Sequence, residues 1–433
     1  MSVSTKLQRI ATQAREHPTR SFTNLAHHID LDFLREAFRL TRKDGAPGID
    51  GVTGAEYEKD LETNLQGLLD RFKSGRYRAP GVRRVHIPKG KGKTRPLGIP
   101  TFEDKVLQRA VAMILEAIYE EDFLPCSFGF RPGCSAHQAL GTVRRELMDM
   151  GGGWVVEADI KDCFGGFDHG WMRKILDRRI RDGVLIRTIG KWLNAGIMED
   201  GQRIKPTRGT PQGGVISPLL ANIFLHEVLD AWFYRHALPL VRGQARLVRY
   251  ADDFVILCER KDDAERFHQG IYPRFEKFGL TLHPEKTKLV PFKCPPRGGP
   301  NDTESWGFLG FTHYWSKSRK GNWAIFRKTM SSRLSRGLTA IAEWCRNNRH
   351  LPVKIQHQIL SRKLKGHCAY YGITGNSAAL EAFRRGMMVV WRKWLRRRSN
   401  AAFRKNWDWW TRFFERHALP PAKAIHSVIR PNT

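Results

Sequence analysis

Residues 249–257 read Arg-Tyr-Ala-Asp-Asp-Phe-Val-Ile-Leu, and the adjacent carboxylates of Asp252 and Asp253 restrict this chain more than any other stretch. Leu247-Val248 precede them and Phe254 to Leu257 follow. These β-branched and aromatic runs predict two strands with a tight connection at Ala251-Asp252-Asp253. Strands rarely bury paired acids without a cation, because like charges repel and desolvation penalises the ionised form. A divalent metal resolves that conflict, and hard carboxylate oxygens suit magnesium. A solvated Asp-Asp turn is the plain alternative.

The charge balance supplies the next constraint. Of 433 residues, 74 are Lys or Arg and 43 are Asp or Glu, a formal net charge of +31. So large a surplus implies a polyanionic partner, and nucleic acid comes first because phosphate contacts dominate such binding. A membrane surface is the competing partner, but no lipidation signal, apolar leader or apolar run of spanning length is present. The seven cysteines are scattered without a CxxC pair. That argues against a zinc module or disulfide framework and for a reducing cytoplasmic setting.

In chain order, residues 1–78 read as basic and helical. Asp30 or Asp32 is placed to cap a helix through Phe33 to Leu40, and a second helix is expected from about Glu56 to Phe72. Arg83 to Pro100 reads as a hairpin with a Gly/Lys-rich tip. Its Gly92-Lys93-Thr94 resembles the end of a P-loop, but Ile87 stands where that motif needs glycine, and Pro96, Gly98 and Pro100 forbid the following helix. A basic hairpin that grips phosphates remains. Residues 102–122 predict a core helix, and Ser135 opens another.

Trp154 to Ile160 is a strand by composition, with Asp159 near its C-terminal end. Joined to Asp252 and Asp253, Asp159 completes a three-carboxylate set that can hold two magnesium ions. One would activate a 3′-hydroxyl and the other steady a leaving pyrophosphate. Between these acids, Arg208 to Pro218 is a Gly-rich loop with Ser217 as the expected N-cap and Pro218 at the first helical position.

The order of basic hairpin, Asp strand, Pro-Gln-Gly loop and Tyr-Ala-Asp-Asp hairpin resembles the group II intron reverse transcriptase/maturase family over nearly the whole chain. The residues that carry it are Arg83 to Pro100, Cys126 to Leu140, Glu157 to His169, Gly209 to Phe224, Arg249 to Ile256, Gly279 to Lys288 and Gly307 to Phe311. The resemblance implies an α+β right-hand polymerase, its fingers and ferredoxin-like antiparallel palm sheet followed by a helical thumb/maturase domain. The implied domains are an N-terminal helical extension (1–78), fingers (79–150), palm (151–318) and thumb (325–433). It implies that Asp159, Asp252, Asp253 and the carbonyl of Ile160 bind two Mg2+, with Mn2+ a substitute. Lys89 and Arg95 would contact the incoming triphosphate and Arg83 the template or nucleotide. Phe164 would gate against a ribose 2′-hydroxyl, Gln212 and Gly213 would line the nucleotide pocket, and Lys286 would donate a proton to pyrophosphate. Gly307 to Phe311 would support the primer end.

The resemblance further implies an RNA-directed DNA polymerase that works on intron RNA or an RNA template with a DNA primer or target and dNTPs, and that aids splicing and retrohoming. The Arg- and Trp-rich segments Trp391 to Arg398 and Trp407 to Trp410 would bind RNA by stacking and charge. Ending at Thr433, the chain is expected to lack the family's attached nuclease. Gly165-Gly166 and Cys134 depart from the family's usual residues, which leaves a mobile intron's protein and a domesticated relative in phage defence or repair both open. An RNA-binding maturase with incidental polymerase activity is another reading. An RNA-dependent RNA polymerase shares the acids, but the bulk of Phe164 argues against it.

Overall fold

The computed structural model describes residues 2–90, 93–199, 202–204, 208–209, 213–296 and 303–426. The chain divides into two compact units, residues 1–139 with 155–289, and residues 140–154 with 290–433.

The first unit opens with helices α1 (Val3–Glu16), α2 (Leu31–Leu40), α3 (Gly54–Lys59) and α4 (Leu61–Lys73). Asp30 caps α2, its carboxylate accepting from the Phe33 N–H at 3.0 Å. The single helix expected from Glu56 to Phe72 is two: a Thr53/Glu56 capping box opens a short first helix, and the chain breaks after it at Asp60 (φ −119°, ψ 42°). Strands β1 (Val82–Gly90) and β2 (Lys93–Ile99) form the expected basic hairpin, with Ile87 opposite Arg95. Helix α5 (Phe102–Asp122) is the buried spine of the unit, with Val106, Leu107, Ala110, Val111, Ile114 and Ile118 fully enclosed.

Next in chain order come α6 (Ala136–Asp149), most of which belongs to the second unit, then β3 (Gly152–Lys161), α7 (Cys163–Gly166), α8 (His169–Leu176), α9 (Gly183–Leu193), β4 (Ile197–Glu199) and β5 (Gln202–Ile204). Helix α10 (Ser217–Leu225) follows, and π-turns carry its course on over His226–Asp230 and Phe233–Ala237. Ser217 is the first helical residue and Ile216 the cap position, so the expected Ser217 cap lies one residue off. Then come β6 (Ala245–Tyr250), β7 (Asp253–Cys258), α11 (Lys261–Lys277), β8 (Thr281–Leu282) and β9 (Lys288–Lys293). Two sheets result, ordered β2-β1-β4-β5 and β6-β7-β3-β8, with β9 also pairing β3. The antiparallel β6–β7 and β3–β8 pairs bring the two acid-bearing stretches into one sheet.

A buried carboxylate ties the basic hairpin's flank to this sheet's helices. Asp104 on α5 accepts hydrogen bonds from the Tyr77 hydroxyl, from Trp192 Nε1 at 2.7 Å and from Gln108 Nε2 at 3.0 Å. Burial pushes the Asp104 carboxyl up to about 6, against the pull of those donors. With its folded value above its unfolded one, Asp104 contributes stability that is full below about pH 4 and is lost as pH rises to about 6. Relative to Asp104→Asn, the wild type should therefore lose about 3 kcal/mol of unfolding free energy between pH 4 and pH 7. Denaturant titrations at several pH values read this directly, and parallel pH profiles for the two proteins would refute it.

The second unit holds a three-stranded sheet, β10 (Trp306–Phe308), β11 (Phe311–Lys317) and β12 (Trp323–Thr329), and helices α12 (Ser331–Asn347), α13 (Val353–Tyr371), α14 (Ser377–Arg396), α15 (Asn400–Phe403) and α16 (Trp407–Arg416). Phe308 pairs with Phe311 across a two-residue turn in which Leu309 (φ +49°) and Gly310 (φ +80°) are both left-handed. The Tyr370 hydroxyl donates to the Leu309 carbonyl at 2.9 Å and holds that turn. Leu360, Leu364, Leu380, Met387, Trp391 and Leu395 form the core of the helices. Among the described residues, no helix is long and apolar enough to cross a membrane.

Candidate active site

The register of β6 and β7 pairs Tyr250 with Asp253 and leaves Ala251-Asp252 as a two-residue turn. Ala251 is left-handed (φ +56°), the geometry that lets a tight hairpin follow the strands' natural twist. For a residue with a Cβ that conformation costs about 1–2 kcal/mol, so its surroundings must hold it. They do. Gly129 packs so closely on the turn that a Cβ there would stand 2.2 Å from the Ala251 nitrogen. The chain before it runs alongside β6, with Arg249 N–H donating to Cys126 O at 2.8 Å and Phe128 N–H to Arg249 O at 2.9 Å.

Beneath the turn lies a fully buried ion pair. Arg249 grips Asp230 with two hydrogen bonds, at 2.7 and 2.5 Å, and neither side chain has any exposure. Its remaining reach goes to Asn222 Oδ1 at 2.9 Å and to the Ala251 carbonyl at 3.1 Å. Asn222 in turn donates to Gly129 O at 2.7 Å, which closes a ring of contacts around the hairpin. Burial pushes the Asp230 carboxyl up, but the Arg249 charge and hydrogen bonds outweigh it and hold the group below its usual value. Asp230 sits in one of the π-turns, an irregularity often found at functional sites. None of Arg249, Asp230, Asn222 and Gly129 was expected at the site. The available signal was the acid itself, since Asp230 interrupts the apolar run Val228-Leu229-Asp230-Ala231-Trp232.

Asp252 is half-buried in the turn and Asp253 exposed at the head of β7. Asp159 lies near the end of β3, the next strand in the sheet, and its backbone carbonyl accepts from the His283 N–H at 2.8 Å. The buried Cys163 thiol is pushed well up, chiefly by burial and further by the charges of Asp252, Asp162 and Asp159. Lys286 Nζ stands 2.5 Å from Asp159 Oδ2, which brings two expected site residues together. Ile160 is buried and pairs with Leu282 on β8. Among the described residues, no three His, Cys, Asp or Glu side chains are close enough to hold a metal by themselves.

Phe164, in the short helix α7, is half-buried and edges onto Phe167 with ring centres 6.3 Å apart. The loop at Arg208-Gly209 lies directly on it: a Cβ at Gly209 would stand 2.6 Å from the Phe164 carbonyl oxygen and 2.7 Å from the Gly165 Cα. That approach is a packing reason for small residues at Gly165 and Gly209. Gly213 (φ +112°) makes the same kind of contact with the basic hairpin, its absent Cβ facing the Gly98 oxygen at 2.5 Å. Arg83 is half-buried on β1, with its Nε enclosed and without a hydrogen-bond partner. Arg95 is exposed on β2. Lys89 lies on β1 at the register shift between Pro88 and Gly90, and Gln212 falls outside the described residues.

In the second unit, the two Trp-rich segments expected to stack on RNA behave differently from one residue to the next. Trp391 and Trp410 are core residues, 0% and 2% exposed, and Trp391 Nε1 donates to Gln356 Oε1 at 2.9 Å. The spacing explains this, since Phe383, Met387, Trp391 and Leu395 recur every four residues along one buried stripe. The rings that face solvent are Phe403 (60% exposed), Trp407 (67%) and Trp409 (39%). Each carries a cation, with Arg396 over Phe403 at 4.8 Å, Arg392 over Trp407 at 4.4 Å and Lys405 over Trp409 at 5.4 Å.

Residues 87–313 match the family described as reverse transcriptase (RNA-dependent DNA polymerase). That match takes in the basic hairpin from Ile87 onward, the Asp159 strand and the Asp252-Asp253 hairpin, and the chain belongs to this family. Its relatives narrow the class. The chain is 34% identical to Protein YkfC of Escherichia coli K12 over 361 residues, which cover 75% of this chain and 92% of that protein. It is 40% identical to the group II intron-encoded protein LtrA of Lactococcus lactis over 224 residues, 51% of this chain but 37% of LtrA. A mitochondrial nuclear intron maturase 2 of Arabidopsis thaliana is 30% identical over 171 residues, 30% of this chain and 23% of that protein. Within the reverse transcriptases, this chain belongs to the group II intron reverse transcriptase/maturase family.

Proposed function

We propose that this chain copies RNA into DNA at the Asp159, Asp252 and Asp253 carboxylates and binds intron RNA as a splicing and retrohoming cofactor. The observation that carries the reading is the placement of Asp159 on the strand next to the Asp252-Asp253 hairpin, with a cationic side chain already on Asp159. These donors fit magnesium. It favours hard oxygen ligands and is usually held by one or two carboxylates together with substrate phosphates, without a closed protein cage. Asp159, Asp252, Asp253 and the Ile160 carbonyl are the groups that would hold it. When bound, the ions acidify the primer 3′-hydroxyl and neutralise charge on the leaving pyrophosphate.

The chain's own residues do the rest. Arg95 and Lys89 on the basic hairpin hold the triphosphate, and Arg83 meets the nucleotide or template. Gln212 and Gly213 line the nucleotide pocket, and the Phe164 ring excludes a 2′-hydroxyl. The Lys286 ammonium, seated at Asp159, is placed to give its proton to a pyrophosphate oxygen. In the right-hand layout this reading implies, the basic hairpin belongs to the fingers, the carboxylates to the palm and helices α12 to α16 to the thumb. Exposed Phe403, Trp407 and Trp409 with their cations support RNA binding, since bases stack on such rings while the cations meet phosphate.

The test is primer extension by the purified chain on an RNA template with a DNA primer and magnesium, supplied with dNTPs or with NTPs. Extension with dNTPs and little with NTPs is expected. A folded protein that extends with neither, or that prefers NTPs, overturns the reading.

A further inference from the structure

Helices α8 and α9 leave between them a cavity of about 610 Å³ that the polymerase reading does not use. Its floor is apolar, with Leu176 and Ile189 buried in it. Its charged lining is cationic, from Arg173, Arg187 and Lys191, with His169 and Asn194 beside them and no carboxylate among the described residues. Lys191 is tied down, donating to the Gly75 and Tyr77 carbonyls at 2.8 and 2.6 Å. Arg173 and Arg187 differ. Both are exposed, and neither has a hydrogen-bond or ion-pair partner among the described residues. Elsewhere in the unit exposed arginines are commonly paired, as Arg35 is with Glu62, Arg39 with Glu36 and Arg42 with Asp44. Arg78 and Arg235 are exposed without such a partner too, so what marks Arg173 and Arg187 is that both line one cleft in which no described residue offers a carboxylate.

The cleft is also coupled to the candidate site. His169 Nε2 lies 2.6 Å from the Gly209 carbonyl oxygen, and Gly209 N–H donates to Phe167 O at 2.7 Å. The same glycine rests on the Phe164 carbonyl. One wall of the cleft thus supports the loop that packs against Phe164.

The geometry points to this cleft as a seat for the sugar-phosphate backbone of a nucleic-acid strand outside the catalytic centre, gripped by Arg173 and Arg187. Planar guanidiniums take phosphate oxygens two at a time, and the cavity is far larger than a single phosphate ion requires. The apolar floor accommodates sugar edges. This rests on the polymerase reading only for the role of the strand; a polyanion of this chemistry fits the cleft whether or not the chain extends primers.

The experiment is equilibrium binding of a labelled single-stranded RNA to the full chain across a salt series, repeated with a DNA strand of the same sequence. Wild type is compared with Arg173→Ala/Arg187→Ala and with Arg235→Ala, an exposed arginine away from the cleft, and thermal unfolding confirms the fold of each. Each phosphate contact on a single strand contributes about 0.7 to the slope of log affinity against log salt, so the double variant should lose about 1.4 from that slope while the control loses less. Loss with both strands assigns the seat to the shared backbone, and loss with RNA alone to a ribose-reading seat. An unchanged slope and affinity with both strands overturns the proposal. Running primer extension on the same preparations keeps the two readings apart: a protein that extends nothing yet loses the salt slope retains the cleft and removes the polymerase.

Discussion

Asp252→Asn is expected to lower the primer-extension rate about 1,000-fold, equivalent to about 4 kcal/mol of transition-state stabilisation. The substitution keeps size and shape while removing the charge and replacing one acceptor oxygen by an NH2 donor. Asp252 is half-buried in the turn of the hairpin whose β7 strand neighbours the Asp159 strand. A neutral amide there would be a poor ligand for a hard cation, and charge stabilisation by such a cation is worth several kcal/mol in phosphoryl transfer. The fold should be largely untouched, because Asp252 is only half-buried and sits in a turn outside the core. The check is single-turnover extension alongside a denaturation curve. Extension within tenfold of wild type, from a variant of unchanged stability, would take Asp252 out of the chemistry and with it the three-carboxylate assignment.

The features that make this prediction possible were legible in the sequence to different degrees, for physical reasons. The β6–β7 hairpin could be read because β7 is a continuous apolar run, Phe254 to Cys258, and β6 carries the apolar pair Leu247-Val248 just ahead of the turn. Asp159 could be read because it closes a run of the same kind. The helix break at Asp60 could not, since the apolar periodicity passes through it and only the capping box at Thr53 hints at a short first helix. The tryptophans of the second unit were misjudged as a group because composition does not say which way a ring points. Helical spacing does: Trp410 and Phe413 turn inwards, while Trp407 stands in solvent. The attachment of residues 140–154 to the second unit is a long-range event that no local pattern records.

Least legible of all was the support beneath the Asp252-Asp253 hairpin, and its removal should have the larger effect on stability. Arg249→Ala leaves the Asp230 carboxylate buried without its guanidinium partner, with only His226 Nδ1 3.8 Å away, which should cost about 3–5 kcal/mol of unfolding free energy. The loss should deepen as pH rises, because the stranded carboxyl loses the charge that held it down and resists ionising. Stability alone, however, does not separate a strut from a positioning device. Replacing both members, as Arg249→Met/Asp230→Leu, removes the unpaired charge and should recover most of the lost stability, since apolar pairs often replace buried ion pairs at no net cost. It cannot restore the hydrogen bond to the Ala251 carbonyl or the hold on Asn222, and through it on Gly129. Ala251 would then be free to leave its left-handed conformation, which costs about 1–2 kcal/mol to maintain, and Asp252 would move with it. The double variant should therefore unfold like wild type, extend primers at least about tenfold more slowly, and show the deficit in the catalytic rate more than in dNTP affinity, as expected for misplacement of reacting groups. Full recovery of both stability and rate would reduce the ion pair to a structural strut; recovery of stability alone makes Arg249 the residue that sets where the Asp252 carboxylate stands.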